Sequence, residues 1–216
     1  MAPVRGGRPP HVGKPTIRCS AGFRKPGIPV SEHIYPADYR NADMAKSDSF
    51  FIRATVTTSG TSYIQSEIDL GSFVNLGVSK STLLRIHNIQ AQYLDNSAYG
   101  AYIYYDGGIP GGQIQWQLTT QSQSALVNAA DKSFVSGGGF RQASTPGVLV
   151  QTGDEVTAMN PQEWRNGYLI GVDTLYFAAD SSATWDSGDV DVSIVLECTL
   201  ETATQASSTA LALSQQ

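Results

Sequence analysis

The stretch GDVDVSIVLECTLE, residues 188–201, carries the clearest structural signal in this chain of 216 residues. Apolar side chains occupy every second position of it: Val190, Val192, Ile194, Leu196, Cys198 and Leu200. Polar and acidic side chains fill the alternate positions, with Val195 as the one apolar exception. A period of two is typical of a β-strand that buries one face. A strand this long needs a second layer to cover its apolar face, which predicts a β-sandwich.

Further strands are predicted along the chain at spacings typical of hairpins, giving about eight or nine in all. They cover residues 50–58, 62–70, 83–94, 99–105, 113–120, 148–151, 155–159 and 168–178. This pattern is compatible with a jelly roll, an immunoglobulin-like sandwich or a Greek-key barrel. The body exceeds the usual immunoglobulin length and has no Cys…Trp…Cys spacing, whereas the long last strand and long loops favour an eight-stranded single jelly roll.

The same pattern predicts little helix. A short helix is expected at ALVNAADK, residues 125–132, and a flexible stretch at SGGG, residues 136–139. Both phases of the strand over 83–94 mix apolar and polar residues, which suggests a strand between a core and a contact surface. We expect three regions: an extended arm over residues 1–36, the antiparallel sandwich over 37–201 and a polar C-terminal tail over 202–216.

The arm is distinguished by proline and by charge. Most of the ten prolines lie within residues 1–36, and proline favours extended chain without backbone donors. Residues 1–31 hold six basic side chains and no acid: Arg5, Arg8, Lys14, Arg18, Arg24 and Lys25. The remaining eight basic and 19 acidic residues give the rest of the chain a net charge of −11. A basic arm on an acidic body indicates contact with nucleic acid or an anionic membrane through the arm; the alternative is a solvated, flexible terminus.

The sequence contains none of the usual catalytic or metal-binding motifs, so we expect no enzyme, no cofactor and no bound metal. Motifs for zinc, for phosphate loops, for dinucleotides and for the nucleophile elbow of hydrolases are absent from the sequence. A calcium site remains an alternative at four aspartates around the loop SSATWDSG: Asp180, Asp186, Asp189 and Asp191. The tyrosines between 99 and 105, with the three tryptophans, are candidates for a sugar-binding platform.

Four apolar side chains are candidates for contacts between subunits. Trp164 in NPQEWRNG and Trp185 in SATWDSG are predicted to lie on loops, where an exposed aromatic side chain often marks a protein contact. Phe23 and Ile28 are spaced hydrophobic residues in the arm, which could anchor it on another surface.

The basic arm from Arg5 to Lys25, the strands from Phe50 to Glu201 and the tail TATQASSTALALSQQ together resemble the single jelly-roll capsid proteins of small icosahedral viruses. The resemblance is one of architecture and involves no diagnostic motif. It implies a structural virion protein that assembles with many copies of itself, and with other capsid proteins, in the host cytoplasm or nucleus. It also implies that the arms bind neighbouring subunits and the genome or an internal membrane. The alternative is a carbohydrate- or receptor-binding sandwich, such as a lectin-like domain or a phage tail or spike component.

Overall fold

A computed structural model describes residues 47–76, 78–101, 103–104, 111–145, 148–152 and 159–216. Nine β-strands, one 3-10 helix and one α-helix follow one another along these residues. The strands are β1 Phe50–Thr57, β2 Ile64–Asp69, β3 Lys80–Asp95, β4 Gly112–Thr119, β5 Phe134–Thr145, β6 Val148–Thr152, β7 Tyr168–Ile170, β8 Thr174–Ser181 and β9 Val190–Thr204. The 3-10 helix spans Pro161–Glu163, and α1 spans Gln205–Ser214.

The strands form two antiparallel sheets that enclose one core. The first sheet has the order β1-β9-β3-β7, and the second has the order β2-β8-β4-β5-β6. β1 pairs with β9, β2 with β8, β3 with β7 and β4 with β5. Pairing the first strand with the last, and so on inward, is the pattern of a long hairpin wound into two sheets, which is the jelly roll. The jelly-roll prediction is therefore confirmed, with β6 as a ninth strand at the edge of the second sheet.

The apolar face of residues 188–201 lies in the core as predicted. Val190, Val192, Leu196 and Cys198 are fully buried, and Ile194 is nearly so. β9 is an interior strand, paired with β1 on one side and along the whole of β3 on the other. Burying each such aliphatic side chain stabilises the fold by roughly 1.5–3 kcal/mol.

A β-bulge in β3 explains why both phases of that strand looked mixed. The register against β9 shifts between Ile86 and Asn88, so that His87 is the extra residue. Leu84 and Ile86 point into the core before the bulge, and Ile89 does so after it. One inserted residue switches the inward phase because side chains alternate with a period of two.

Several local expectations were wrong. ALVNAADK forms turns instead of a helix, because the side chains of Asn128 and Asp131 accept hydrogen bonds from the backbone of Ala130 and Ser133. Residues 136–139 are not a flexible linker but part of β5, paired with β4.

The segment 202–216, predicted as a polar tail, contains the end of β9 and the helix α1. β9 continues to Thr204, whose hydroxyl accepts a hydrogen bond from the backbone N–H of Ser207 and so begins α1. The side chain of Ser208, inside α1, is buried and donates to Ser81 on β3. Among the described residues, no helix is long and apolar enough to cross a membrane.

Candidate interaction surface

A turn of residues 160–167 lies against the edge of β3 beyond the short strand β7. The side-chain amide of Gln162 pairs with the backbone of Ile89 as a neighbouring strand would: its oxygen accepts from the Ile89 N–H at 3.1 Å and its nitrogen donates to the Ile89 carbonyl at 3.0 Å. An unpaired strand edge invites pairing with another chain. Gln162 therefore both fixes the turn and covers part of this edge.

Two further contacts hold the end of the same turn. Gly167 has a φ of +63°, and a Cβ there would lie 2.2 Å from the carbonyl oxygen of Ile86, so only glycine allows this approach. Arg85 donates from Nη1 to the Asn166 carbonyl at 2.7 Å and binds Glu201 through Nε and Nη2 at 2.6 and 2.7 Å. The side chain of Glu201 is almost wholly buried, so this bidentate ion pair fixes the position of Arg85 and, through it, the end of the turn.

Beside this ion pair lies a depression of about 370 Å³, here called the Trp164 pocket. It is lined by Arg85, His87, Trp164, Arg165, Asn166, Gly167 and Glu201. The indole of Trp164 is 37% exposed and packs at a tilt on Tyr168, with ring centres 5.4 Å apart. His87 shares a hydrogen bond of 2.9 Å with the hydroxyl of Thr199. The pocket thus combines an exposed aromatic ring with two guanidinium groups and an imidazole.

A second depression of about 900 Å³, here called the α1 groove, shares Arg85 and Glu201 with the Trp164 pocket. Its wall includes Lys80 and the apolar side chains of Leu83, Leu169 and Leu211. The helix is anchored beside it by Gln215, which accepts from the N–H of Gly171 and donates to the carbonyl of Leu169. A glutamine amide therefore also pairs with the outer edge of β7.

The two depressions gather positive charge on an acidic body. The described residues include six lysines and arginines, of which Lys80, Arg85 and Arg165 line these depressions. The only carboxylate in either lining is Glu201, which is paired with Arg85. The side chains that line the two depressions therefore carry a net positive charge.

The opposite end of the same sheet has the reverse character. Asp191 is 5% exposed and accepts hydrogen bonds from Thr57, Asn96 and Tyr99 at 2.6, 2.9 and 2.9 Å. The bond to Asp191 raises the pKa of the Tyr99 phenol, because the carboxylate favours the protonated donor. The polar and acidic face of β9 is thus not simply solvated, since Asp191 and Glu201 are both buried in polar contacts.

The calcium site and the sugar platform gain no support. Within the part of the chain that the structure describes, no group of three or more His, Cys, Asp or Glu side chains is placed to hold a metal ion. Trp116 and Trp185 are 2% and 3% exposed, so neither can form a surface platform. Tyr99 and Tyr104 are exposed, whereas Tyr102 and Tyr105 lie outside the described residues.

The predicted site residues divide into three groups. The six arm cations, Phe23 and Ile28 lie outside the described residues. The prediction of an exposed Trp185 was wrong: its ring packs on Phe140 in the core, and its N–H donates to Ser181 at 2.9 Å. Trp164 is exposed, and its role in subunit contacts stays a prediction.

Cys198 is a core thiol in this arrangement. Burial raises its pKa to about 12, with a smaller contribution from Glu197, so the reactive thiolate is suppressed at neutral pH. A buried, protonated thiol of this kind behaves as a small apolar side chain.

By its strand pairing, the protein is a single jelly-roll β-sandwich with a basic, aromatic-containing depression on the β3–β7 side. No protein-family model matches the chain, and no curated protein matches its sequence.

Three of the solved structures to which the chain is similar come from viruses. The VP1 protein of human polyomavirus 12, in complex with 3'-sialyllactosamine, aligns with a TM-score of 0.40 and 8% identity, covering 72% of this chain and 99% of that one. Desmodium yellow mottle tymovirus gives a TM-score of 0.32 and 9% identity, covering 81% and 96%. Merkel cell polyomavirus VP1, also with 3'-sialyllactosamine, gives 0.36 and 8%, covering 71% and 94%. The jelly roll itself is defined by the strand order and pairing of the two sheets.

Proposed function

We propose that this protein is a structural virion protein, a capsid subunit that assembles with many copies of itself and has no catalytic role. The observation that carries the proposal is the joining of a jelly-roll body to a proline-rich arm of opposite charge. The body has the complete pairing of a wound hairpin, and residues 1–31 carry a charge of +6 against −11 for the rest of the chain.

The charge difference supports association between copies. A basic arm and an acidic body attract each other, and opposite charges increase the rate of encounter and favour the correct orientation of partners. In a symmetric shell the arm of one subunit would lie on its neighbours, and its cations would contact the genome or an internal membrane. Both roles for the arm are part of the proposal.

In the first sheet, the edge formed by β3 and β7 is covered by glutamine side chains. This supports association of subunits through loops and arms instead of through pairing of strands from two subunits. Gln162 and Gln215 occupy backbone groups of Ile89, Leu169 and Gly171 that a strand of another chain would use. Side-chain covers of this kind are a known protection against edge-to-edge pairing. Trp164, exposed on the turn at this edge, is a candidate for the contacts between subunits.

Removal of the arm tests the proposal directly. A variant lacking residues 1–31 should keep the circular dichroism and cooperative unfolding of the sandwich but lose assembly or genome uptake, as seen by electron microscopy and by the nucleic acid content of the particles. Unchanged particles with unchanged contents would refute the role of the arm. A sandwich that binds carbohydrate or a receptor would instead remain a stable monomer or trimer, and glycan-array binding lost on changing Trp164 would favour that alternative.

A further inference from the structure

The Trp164 pocket combines a stacking surface with cations on a body that is otherwise acidic. We propose that it binds one nucleotide of a single-stranded nucleic acid, with the base on the indole of Trp164 and the phosphate on the guanidinium of Arg165. The inference rests on the proposed function, because it assigns a genome contact to the folded body in addition to the arm.

Trp164 meets the requirements for stacking a base. It is 37% exposed, whereas the other two tryptophans are nearly inaccessible at 2% and 3%. Its ring is supported by Tyr168 and borders a depression of about 370 Å³, within the usual range for small-ligand sites of roughly 300–1,000 Å³. Every base presents a π-face, so stacking on such a ring binds single strands without strong sequence preference.

Arg165 provides the charge for a phosphate. It is exposed and, among the described residues, makes no ion pair, unlike Arg85, which is hydrogen-bonded to Glu201 and Asn166. His87 and Asn166 supply further polar groups to the wall of the pocket. Lys80, in the adjoining groove, extends the positive charge along the surface, as the backbone of a longer strand would require.

The pocket is held in shape before any ligand arrives. Gly167 rests against the Ile86 carbonyl, Arg85 holds the Asn166 carbonyl, and Gln162 is paired with Ile89. A site fixed in this way loses little conformational entropy on binding. Charge also disfavours the chain's own arm as the occupant, because residues 1–31 are strongly basic and the lining of the two depressions is net positive.

The test uses the intrinsic fluorescence of the full chain. Titration with an oligouridylate of about 15 nucleotides in about 50 mM salt should quench tryptophan emission, and the quenching should come from Trp164 because the other indoles are buried. Ultraviolet crosslinking followed by peptide mapping should join uridine to the peptide that contains Trp164. Trp164→Ala should abolish the quenching and weaken binding about fivefold or more. Arg165→Glu should weaken binding and lower its salt dependence while leaving the indole in place.

A matched control exists on β1. Phe51 is 53% exposed, and the guanidinium of Arg53 lies 5.7 Å from its ring centre, so this pair is also an exposed aromatic ring with a cation. Phe51→Ala and Arg53→Ala should leave quenching and crosslinking unchanged. Should Trp164→Ala not fold, Arg165→Glu and the crosslink map of the unaltered chain decide the question.

Three results would overturn the inference. One is crosslinking confined to the arm with no quenching; another is equal loss of binding in the β1 control variants. The third is quenching by vesicles containing phosphatidylserine but not by the oligonucleotide, which would identify a lipid ligand. If the protein forms particles but Trp164 does not crosslink, nucleotide binding in the Trp164 pocket is refuted and the capsid function is not. If Trp164 crosslinks but no particles form, the capsid function is refuted and nucleotide binding is not.

Discussion

The two ends of β9 bury one carboxylate each on the outer face of the same sheet, and they do so by different means. Glu201 is matched by the guanidinium of Arg85, which in turn holds the turn of the Trp164 pocket. Asp191 is matched by neutral donors, namely Thr57, Asn96 and Tyr99. The end at Glu201 therefore has exposed cations beside it, whereas at the other end the carboxylate of Asp191 is enclosed by neutral hydrogen-bond donors. An alternating acidic face in the sequence does not distinguish these outcomes.

The largest expected effect comes from breaking the ion pair. Glu201→Gln should lower the free energy of unfolding by roughly 3–5 kcal/mol, because it leaves the largely buried guanidinium of Arg85 without a counter-charge. Asp191→Asn should cost less, about 1.5–3 kcal/mol, because it weakens hydrogen bonds without leaving a charge unpaired. Urea denaturation of both variants measures the difference. Equal costs, or a larger cost at Asp191, would show that the two ends are held in the same way.

A smaller loss of stability is expected when a glycine is replaced by alanine in the turn near either end of β9. Gly167→Ala should destabilise the protein by roughly 2–3 kcal/mol and alter Trp164 fluorescence, because the new Cβ forces the turn away from the Ile86 carbonyl. Gly60 is the matched control: its φ is +55°, and the nearest atom to an added Cβ would be Thr184 Oγ1, at 3.7 Å. Gly60→Ala should therefore cost only about 1 kcal/mol, from backbone conformation alone. Similar losses in the two variants would argue against the close approach at Gly167.

The smallest effect concerns acid. Hydrogen bonds from the Ser97 hydroxyl, and from the backbone N–H groups of Ser97 and Ala98, hold the pKa of Asp95 below its usual value. Because the folded pKa is depressed, the stability from this group is present above about pH 4 and is lost as the pH falls through the folded value. Asp95→Asn should flatten the pH dependence of unfolding in that range. A pH profile identical to that of the unaltered chain would show that Asp95 makes no such contribution.

Much of the fold followed from alternation alone. The inward face of β9 from Val190 to Cys198 was predicted correctly, because a strand that buries one face leaves a period of two in the sequence. The jelly roll could be favoured over other sandwiches from strand length and loop length. The bulge at His87 could not be read, since an inserted residue makes both phases look mixed.

The candidate surface was much harder to predict. Trp164 was singled out correctly as exposed, but Trp185 has a similar polar sequence context and is buried against Phe140. Gln162 and Gln215 act by pairing with backbone groups distant in sequence, and nothing in their local sequence indicates this. The helix α1 did leave a signal, a capping threonine at Thr204 before a run rich in alanine and leucine.

Sedimentation of the purified full chain over a range of protein and salt concentrations is the most direct test of its self-assembly. A capsid subunit should form large, uniform particles of many copies, which appear or dissolve as salt weakens the attraction between arm and body. A stable monomer or trimer under every condition, at high protein concentration and with or without nucleic acid, would contradict self-assembly.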